Sequence, residues 1–342
     1  MGTGAPLPGV TATTLGEGID GPEMLGFLLV PNFSMIAFTS AIEPLRLANR
    51  AAGRELYRWI VLSSDGGPVS ASNGIVVNVD MSMTDWNRAQ GNRRSLDKVF
   101  VCAGLGVERY RDDGVYAWLR RAERQGTTVG ALCTGAYVLA RAGLLDGYKC
   151  CIHWESLPGF TENFPEIDVS ADLFEVDRNR WTCSGGTASL DMMLNLIHEE
   201  HGVQVATAVS EQCLVDRMRN PHDRQRLPLR ARLGIHNPKL IASIEVMEAN
   251  LAEPLGQDEL ANHVGLSRRQ LERLFRKHLG RAPAQYYLEL RLERARHLLY
   301  QSEMPIVDVA LACGFVSPSH FSKCYRDMYG KSPRDERAAA VA

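Results

Sequence analysis

Two sets of residues carry groups that can do chemistry. In the carboxyl-terminal third, Arg269, Glu272, Arg273 and Arg276 recur at i, i+3, i+4 and i+7, as do Ser319, Ser322, Lys323 and Arg326 fifty residues on. On a helix that spacing puts each set on one face. Arginine bridges guanine O6 and N7 in a major groove, and lysine and hydroxyls bond base edges or phosphates, so both faces suit DNA reading. The bland alternative is a pair of solvated helix faces. The second set is a thiol and an imidazole. Cys133 stands where the apolar run Thr127-Thr-Val-Gly-Ala-Leu132 breaks through Cys133-Thr-Gly135 into a helix, and His153 ends the next apolar stretch, Cys150-Cys-Ile152. A helix amino terminus lowers a thiol pKa and offers free amides to an oxyanion, so Cys133 is a candidate nucleophile; a ligand-pocket wall is the other use of that position.

The elements that must hold the first set are written twice. Ala261, Gly265, Leu271, Phe275, Gly280 and Pro283 recur as Ala310, Gly314, Phe321, Tyr325, Gly330 and Pro333, at an offset of 49 before the turn and 50 after it. The second turn is therefore one residue longer. Each copy reads as a helix-turn-helix: an apolar stripe (Leu260, Ala261, Val264; Ile306, Val309, Ala310), a glycine where a left-handed cap stops the helix, then a serine N-cap. Ser267 has a capping-box partner in Gln270, and Ser317 precedes Pro318 at the first helical position. Leu240 to Asn250 predicts a preceding helix. Pro283 to Tyr300 predicts one long helix that sets the distance between the copies.

Upstream, strands and helices alternate. Met24–Val30, Trp59–Ser63, Gly74–Val79, Lys98–Cys102 and Thr127–Leu132 read as strands, with helices over 34–50 and around Tyr116, Leu119 and Ala122. Buried strands separated by helices predict a mostly parallel sheet, whose sites form beyond the carboxyl ends of the strands. Residues 1–21, rich in Gly, Thr and Pro, read as a disordered tail. Residues 203–218 read as the last helix of this domain, and 219–235, rich in Arg and cut by Pro221 and Pro228, as a linker. The six arginines from Arg217 to Arg232 suit flanking phosphates or plain solubility equally.

The net charge of −2 divides unevenly. From His236 onward there are 15 Lys and Arg against 13 Asp and Glu, a modest and local positive balance that favours chosen contacts over a polybasic coat. Eight cysteines without a Cys-x-x-Cys pair, no secretory signal and no apolar run of membrane-spanning length predict a cytoplasmic protein with reduced thiols, no membrane association, and no metal or cofactor.

Gly265-Leu-Ser-Arg-Arg-Gln-Leu-Glu-Arg-Leu-Phe275, Leu290-Arg-Leu-Glu-Arg-Ala-Arg-His-Leu-Leu299 and Cys313-Gly-Phe-Val-Ser-Pro-Ser-His-Phe-Ser-Lys-Cys-Tyr-Arg326 resemble the DNA-binding domain of the AraC/XylS regulators. The resemblance implies two recognition helices in successive major-groove segments about 34 Å apart. It places base contacts on Arg269, Glu272, Arg273, Ser319, Ser322 and Lys323. The Cys133 elbow, His153 and the Gly-rich Thr182-Cys-Ser-Gly-Gly-Thr-Ala188 resemble the DJ-1/PfpI, class I amidotransferase-like α/β fold. Where its hydrolases and chaperones carry an acidic residue on the first helix, Ala37 stands here, and Glu43 instead caps or braces that helix.

This domain order, with Glu43-Pro-Leu-Arg-Leu-Ala-Asn49, is similar to the GlxA-like transcriptional activators. The implied architecture is an effector-sensing domain over 22–218 and a DNA-binding domain over 236–342. The implied partners are a double-stranded operator, RNA polymerase, a second copy through the α/β domain, and a small nitrogenous effector such as arginine, carnitine or glycine betaine. The implied pocket is Asn32, Phe33, Gly104, Cys133, Thr134, His153, Trp154, Ser184 and Gly185. Trp154 suits a quaternary ammonium by cation–π attraction or is a core residue. Asp191 and Glu155 are partners for a cation or solvated surface. The rival class is a cysteine amidase or hydrolase tethered to DNA.

Overall fold

Strands covered on both faces lose polar alternation, and the runs at Leu25 and Val99 do so completely. They form the centre of a seven-stranded sheet in a computed structural model that describes residues 21–90, 96–226 and 229–341. The described residues group into two units. One runs to Leu157 and resumes over Phe164–Gln225, and the other takes Pro158–Asn163 and the chain from Arg226. The predicted tail falls almost wholly on residues 1–20, outside the described residues.

In the first unit the elements are β1 (Glu23–Leu29), α1 (Met35–Ala52), β2 (Tyr57–Ser63), β3 (Val69–Ser70), β4 (Val76–Val77), β5 (Met81–Ser82), α2 (Met83–Gln90), β6 (Lys98–Ala103), α3 (Asp113–Arg124), β7 (Thr128–Cys133), α4 (Ala136–Arg141), β8 (Lys149–Cys151), β9 (Asp168–Ser170), β10 (Phe174–Asp177), β11 (Arg180–Cys183) and α6 (Ala188–Gln212), while α5 (Leu157–Asn163), between β8 and β9 in the chain, belongs from Pro158 onward to the second unit. The main sheet runs β10-β11-β7-β6-β1-β2-β5 and is parallel except for the β10–β11 hairpin. Ala103 pairs with Cys133 at the ends of β6 and β7. Gly130 admits this packing, since a Cβ there would lie 2.5 Å from the Phe100 ring.

Three predicted features differ. Gly74–Val79 supplies only β4, paired with β3 apart from the main sheet, and Ile75 and Val76 lie exposed. β-branched residues favour extension, but burial was needed to make a core strand. The final helix ends at Gln212 and not Met218, and breaks at Gly202, where φ is 82° and ψ 170°. The predicted linker is divided. Residues 219–225 pack with the α/β unit, and α7 (Leu229–Leu233) belongs to the helical one, with Leu229 and Ile235 in its core.

The second unit continues with α8 (Pro238–Ala249), α9 (Gln257–His263), α10 (Arg268–Leu279), α11 (Pro283–Gln301), α12 (Ile306–Ala312), α13 (Pro318–Tyr329) and α14 (Pro333–Val341). It has two cores. Tyr286 and Tyr287 of α11 join Leu240, Ile244, Leu271 and Phe275 in the first, while Leu292, Ala295, Leu298 and Leu299 of the same helix join Val309, Phe315, Phe321 and Tyr325 in the second. The Ser267 capping box forms on both sides, and Ser317 accepts from the His320 amide.

Each helix-turn-helix turn is also closed by a basic side chain from outside it. Lys239 donates to the Val264 carbonyl at 2.5 Å; at the matching place Arg291 donates to the carbonyls of Cys313 and Gly314, both at 2.7 Å, with its guanidinium over the Phe315 ring. Each satisfies helix-end carbonyls that have no partner within the helix.

The two turn glycines differ in surroundings. Gly265 (φ +64°) faces only the flexible end of Lys239, whereas a Cβ on Gly314 (φ +73°) would meet Pro254 Cδ at 2.6 Å and Ala252 O at 2.9 Å. Gly265→Ala should cost about 1–2 kcal/mol from left-handed backbone alone. Gly314→Ala should cost about 2–4 kcal/mol, the overpacking adding to it. Urea denaturation of the two variants checks the order, and equal losses would contradict it.

Candidate functional site

The elbow is built by backbone strain at the end of β7. Cys133 has φ 61°, an uncommon conformation for a residue with a Cβ, and it is held from three sides. A Cβ on Gly185 (φ +85°) would sit 2.6 Å from the Cys133 Cβ and 2.9 Å from its Sγ, so only glycine fits there. The His153 amide donates to the Cys133 carbonyl at 3.3 Å. Thr134 donates its hydroxyl to the Gly104 carbonyl at 2.7 Å. Gly104 in turn lies against the turn after β1, where a Cβ would approach the Asn32 carbonyl to 2.2 Å, and Asn32 itself has φ 61°. The structure thus gathers Asn32, Phe33, Gly104, Cys133, Thr134, His153 and Gly185 into one contiguous corner, with Ser184 next to Gly185.

Not all of these present side chains to a ligand. The Phe33 ring is fully buried against Phe38, so its candidate role reduces to its main chain. The Thr134 hydroxyl is consumed by Gly104, and Ser184 is buried with its amide on Leu173. Cys133 itself is 8% exposed. Burial pushes its thiol up to about 12, helped by the neighbouring Cys183 and opposed by hydrogen bonds from the Thr134 amide and the Ser34 hydroxyl. The helix-terminus effect expected to lower that pKa is outweighed by desolvation.

The accessible part of the corner is the lip His153-Trp154-Glu155. The His153 side chain is 31% exposed, and its ring stands 5.6 Å from that of Trp154. Burial lowers the His153 pKa, with Glu155 opposing. Glu155 Oε2 is 3.9 Å from Nδ1, beyond hydrogen-bond reach, while the Glu155 amide donates to Nδ1 at 3.4 Å. Ala37 is buried in the core, and Glu43 braces α1 through Arg46, accepting from Nε at 2.8 Å and Nη2 at 2.6 Å.

Asp191 is not available to a cation. It is 3% exposed and bound by Arg219, which donates Nε at 2.9 Å and Nη2 at 2.6 Å, with the Arg219 amide on its other oxygen. This contact was invisible in the sequence, 28 residues separating its members. It belongs to a strap in which Leu173 donates its amide to Pro221 O, His222 pairs with Asp172 at 2.9 Å, and Gln225 donates to Ile152 O and Asp172 O. Of the six arginines read as suiting flanking phosphates or solubility, Arg219 is held by Asp191 at 2.6 Å, while Arg217 faces Asp223 at 3.6 Å and, in the helical unit, Arg232 faces Glu248 at 3.5 Å. Among the described residues one trio, Asp172, Glu175 and His222, brings metal-ligand types together, and Lys149 Nζ already supplies the cation, 2.6 Å from Glu175.

The helical unit presents its two faces as the spacing predicts. Arg269, Arg273 and Arg276 are exposed and Glu272 half-buried; Ser319, Lys323 and Arg326 are exposed and Ser322 half-buried. Residue by residue, α10 and α13 have the same succession of buried, intermediate and exposed positions. Arg276 pairs with Glu272 at 3.3 Å, an exposed contact of little energy.

An α/β unit with a cysteine elbow, followed by a paired helix-turn-helix unit, defines a two-domain DNA-binding regulator. Residues 27–199 match the DJ-1/PfpI family and residues 260–339 the helix-turn-helix domain family. The chain belongs to the AraC-family transcriptional regulators with a DJ-1/PfpI-like domain. It is 52% identical to the HTH-type transcriptional regulator GbdR of Pseudomonas aeruginosa over 92% of this chain and 84% of that one. It is 47% identical to CdhR of the same species over 91% and 90%. The crystal structure of an AraC family transcriptional regulator from Pseudomonas putida matches with a TM-score of 0.50 and 29% identity, over 56% of this chain and 100% of that one. The chain is thus a DNA-binding transcriptional regulator. Among the described residues no helix is long and apolar enough to cross a membrane.

A thiol pushed up to about 12 is neutral at physiological pH. In the folded protein at neutral pH, iodoacetamide should alkylate Cys133 at least about a hundredfold more slowly than free cysteine, accelerating as pH rises. Mass spectrometry of the labelled peptide reads this. Labelling as fast as free cysteine would reveal a thiolate and restore nucleophilic chemistry.

Proposed function

We propose that α10 and α13 each read a major-groove segment of one operator, Arg269, Glu272 and Arg273 from the first and Ser319, Ser322 and Lys323 from the second, with Arg276 and Arg326 at their far ends. The observation that carries this is the matched exposure of the two helices: one scaffold is presented twice with different chemistry on its open face. The shared helix α11, 19 residues long, spans about 28 Å, close to the 34 Å of one DNA turn. Arg269→Ala or Arg273→Ala should cost about 1–3 kcal/mol on the operator while leaving most non-specific binding intact. Equal loss on operator and random DNA, measured by fluorescence anisotropy, would make them phosphate contacts.

The α/β unit serves as the sensor of a small nitrogenous metabolite, and its elbow is not catalytic. Support comes from the neutral thiol, from Ala37 at the acidic position, and from the Glu155 carboxylate, which stands 3.9 Å from His153 Nδ1 and so beyond hydrogen-bond reach. Trp154 and Glu155 at the open lip suit a quaternary ammonium or guanidinium, arginine, carnitine and glycine betaine being the compounds to test. The protein acts in the cytoplasm, recruits RNA polymerase, and dimerises through the α/β unit. In favour of the last, Ile36, Ile75, Val76 and Leu105 are exposed apolar side chains on segments tied together at the Asn32–Phe33 turn.

A sensor must bind its two arrangements with different affinity. Saturating effector should therefore change operator affinity or transcription by about 5- to 150-fold. Trp154→Ala should weaken the effector by about 2- to 30-fold, as loss of a cation–π contact requires, while Cys133→Ser should keep the response. Reporter titration with isothermal calorimetry checks both. A dead response in Cys133→Ser, with melting temperature and operator affinity unchanged, would return the cysteine to the mechanism.

A further inference from the structure

The two turns differ by one residue, and that residue is identifiable. Gly265 and Gly314 correspond, as do the N-cap serines Ser267 and Ser317. Leu266 and Phe315 both turn inward, Leu266 partly buried and Phe315 wholly so. The residue without a counterpart is Val316. It is 96% exposed, beyond any other large apolar side chain among those exposed in the described residues. It contributes nothing to the core, and it directly precedes the amino terminus of α13.

That place decides its role. The amino-terminal end of a recognition helix is the part that meets base edges in a major groove. A valine side chain has no donor or acceptor, so it cannot bond a phosphate or pair with the polar edges of guanine, cytosine or adenine. The apolar group that a major groove displays is the thymine 5-methyl. The neighbouring exposed reader on α13 is Ser319, with Ser322 a turn on, both short side chains, where α10 carries Arg269 and Glu272. Short side chains let the helix backbone approach the bases closely enough for a valine to touch a methyl.

We infer that Val316 is a specificity-determining residue that reads the 5-methyl of one thymine in the segment facing α13, a contact the first helix-turn-helix has no residue to make. The inference rests on the proposed DNA-reading role of α13. The test uses the full chain and a site enriched by it from random duplexes. Each thymine of that site is replaced singly by uracil, which removes only the methyl. One replacement should weaken wild-type binding by about three- to tenfold, as for one buried methyl. Val316→Ala should lose a similar factor on the all-thymine site and become indifferent to uracil at that position, with an unchanged melting temperature because the side chain is exposed. No uracil penalty anywhere in the wild type, or a penalty that persists in Val316→Ala, would overturn the inference while leaving α13 a reader. A random pool that yields no enriched sequence would remove the reading role of α13 and this inference with it.

Discussion

The constraint on which the helical unit depends is that α11 belongs to two cores at once. Its first half buries Tyr286 and Tyr287 with one helix-turn-helix, and its second half buries Leu292, Ala295, Leu298 and Leu299 with the other. Neither core can close without it. An uninterrupted helix resists bending because every peptide along it is hydrogen-bonded to the next turn. The distance and angle between α10 and α13 are therefore properties of one rod. Independent modules on a flexible tether would have to lose that freedom on meeting DNA; here most of it is lost on folding.

At the other end of the chain the dominant constraint is close approach of backbone. Gly104 against Asn32, Gly130 against Phe100 and Gly185 against Cys133 leave no room for a Cβ, and Cys133 and Asn32 take left-handed backbone. The corner that results is dense. A nucleophile needs a stabilised thiolate, and a dense apolar corner disfavours charge more strongly than a helix terminus favours it. Cys133 is buried at the centre of this corner, and the more accessible polar side chains are those of the His153-Trp154-Glu155 lip. Ile152, one residue before that lip, is tied by Gln225 to the strap leading out of the unit, which gives the lip and the strap a common anchor.

The sequence by itself determined the parts governed by local and periodic physics. The twofold pattern of Ala, Gly, apolar and Pro residues located every helix of the two helix-turn-helix motifs, because helix period, serine caps and left-handed glycines act within a few residues of chain. It likewise exposed the faces of α10 and α13, and marked Cys133 at a strand end. It stopped where burial and long-range pairing decide. Gly74–Val79 has strand-forming residues, yet its place outside the main sheet depended on what it could pack against. The Asp191–Arg219 pair, the closure of the two turns by Lys239 and Arg291, and the division of the linker join residues far apart in sequence, with no periodic signal to announce them. The state of the Cys133 thiol is of the same kind: its residue type and its helix pointed toward reactivity, and only the packing around it, which removes water from the sulfur, reversed the sign.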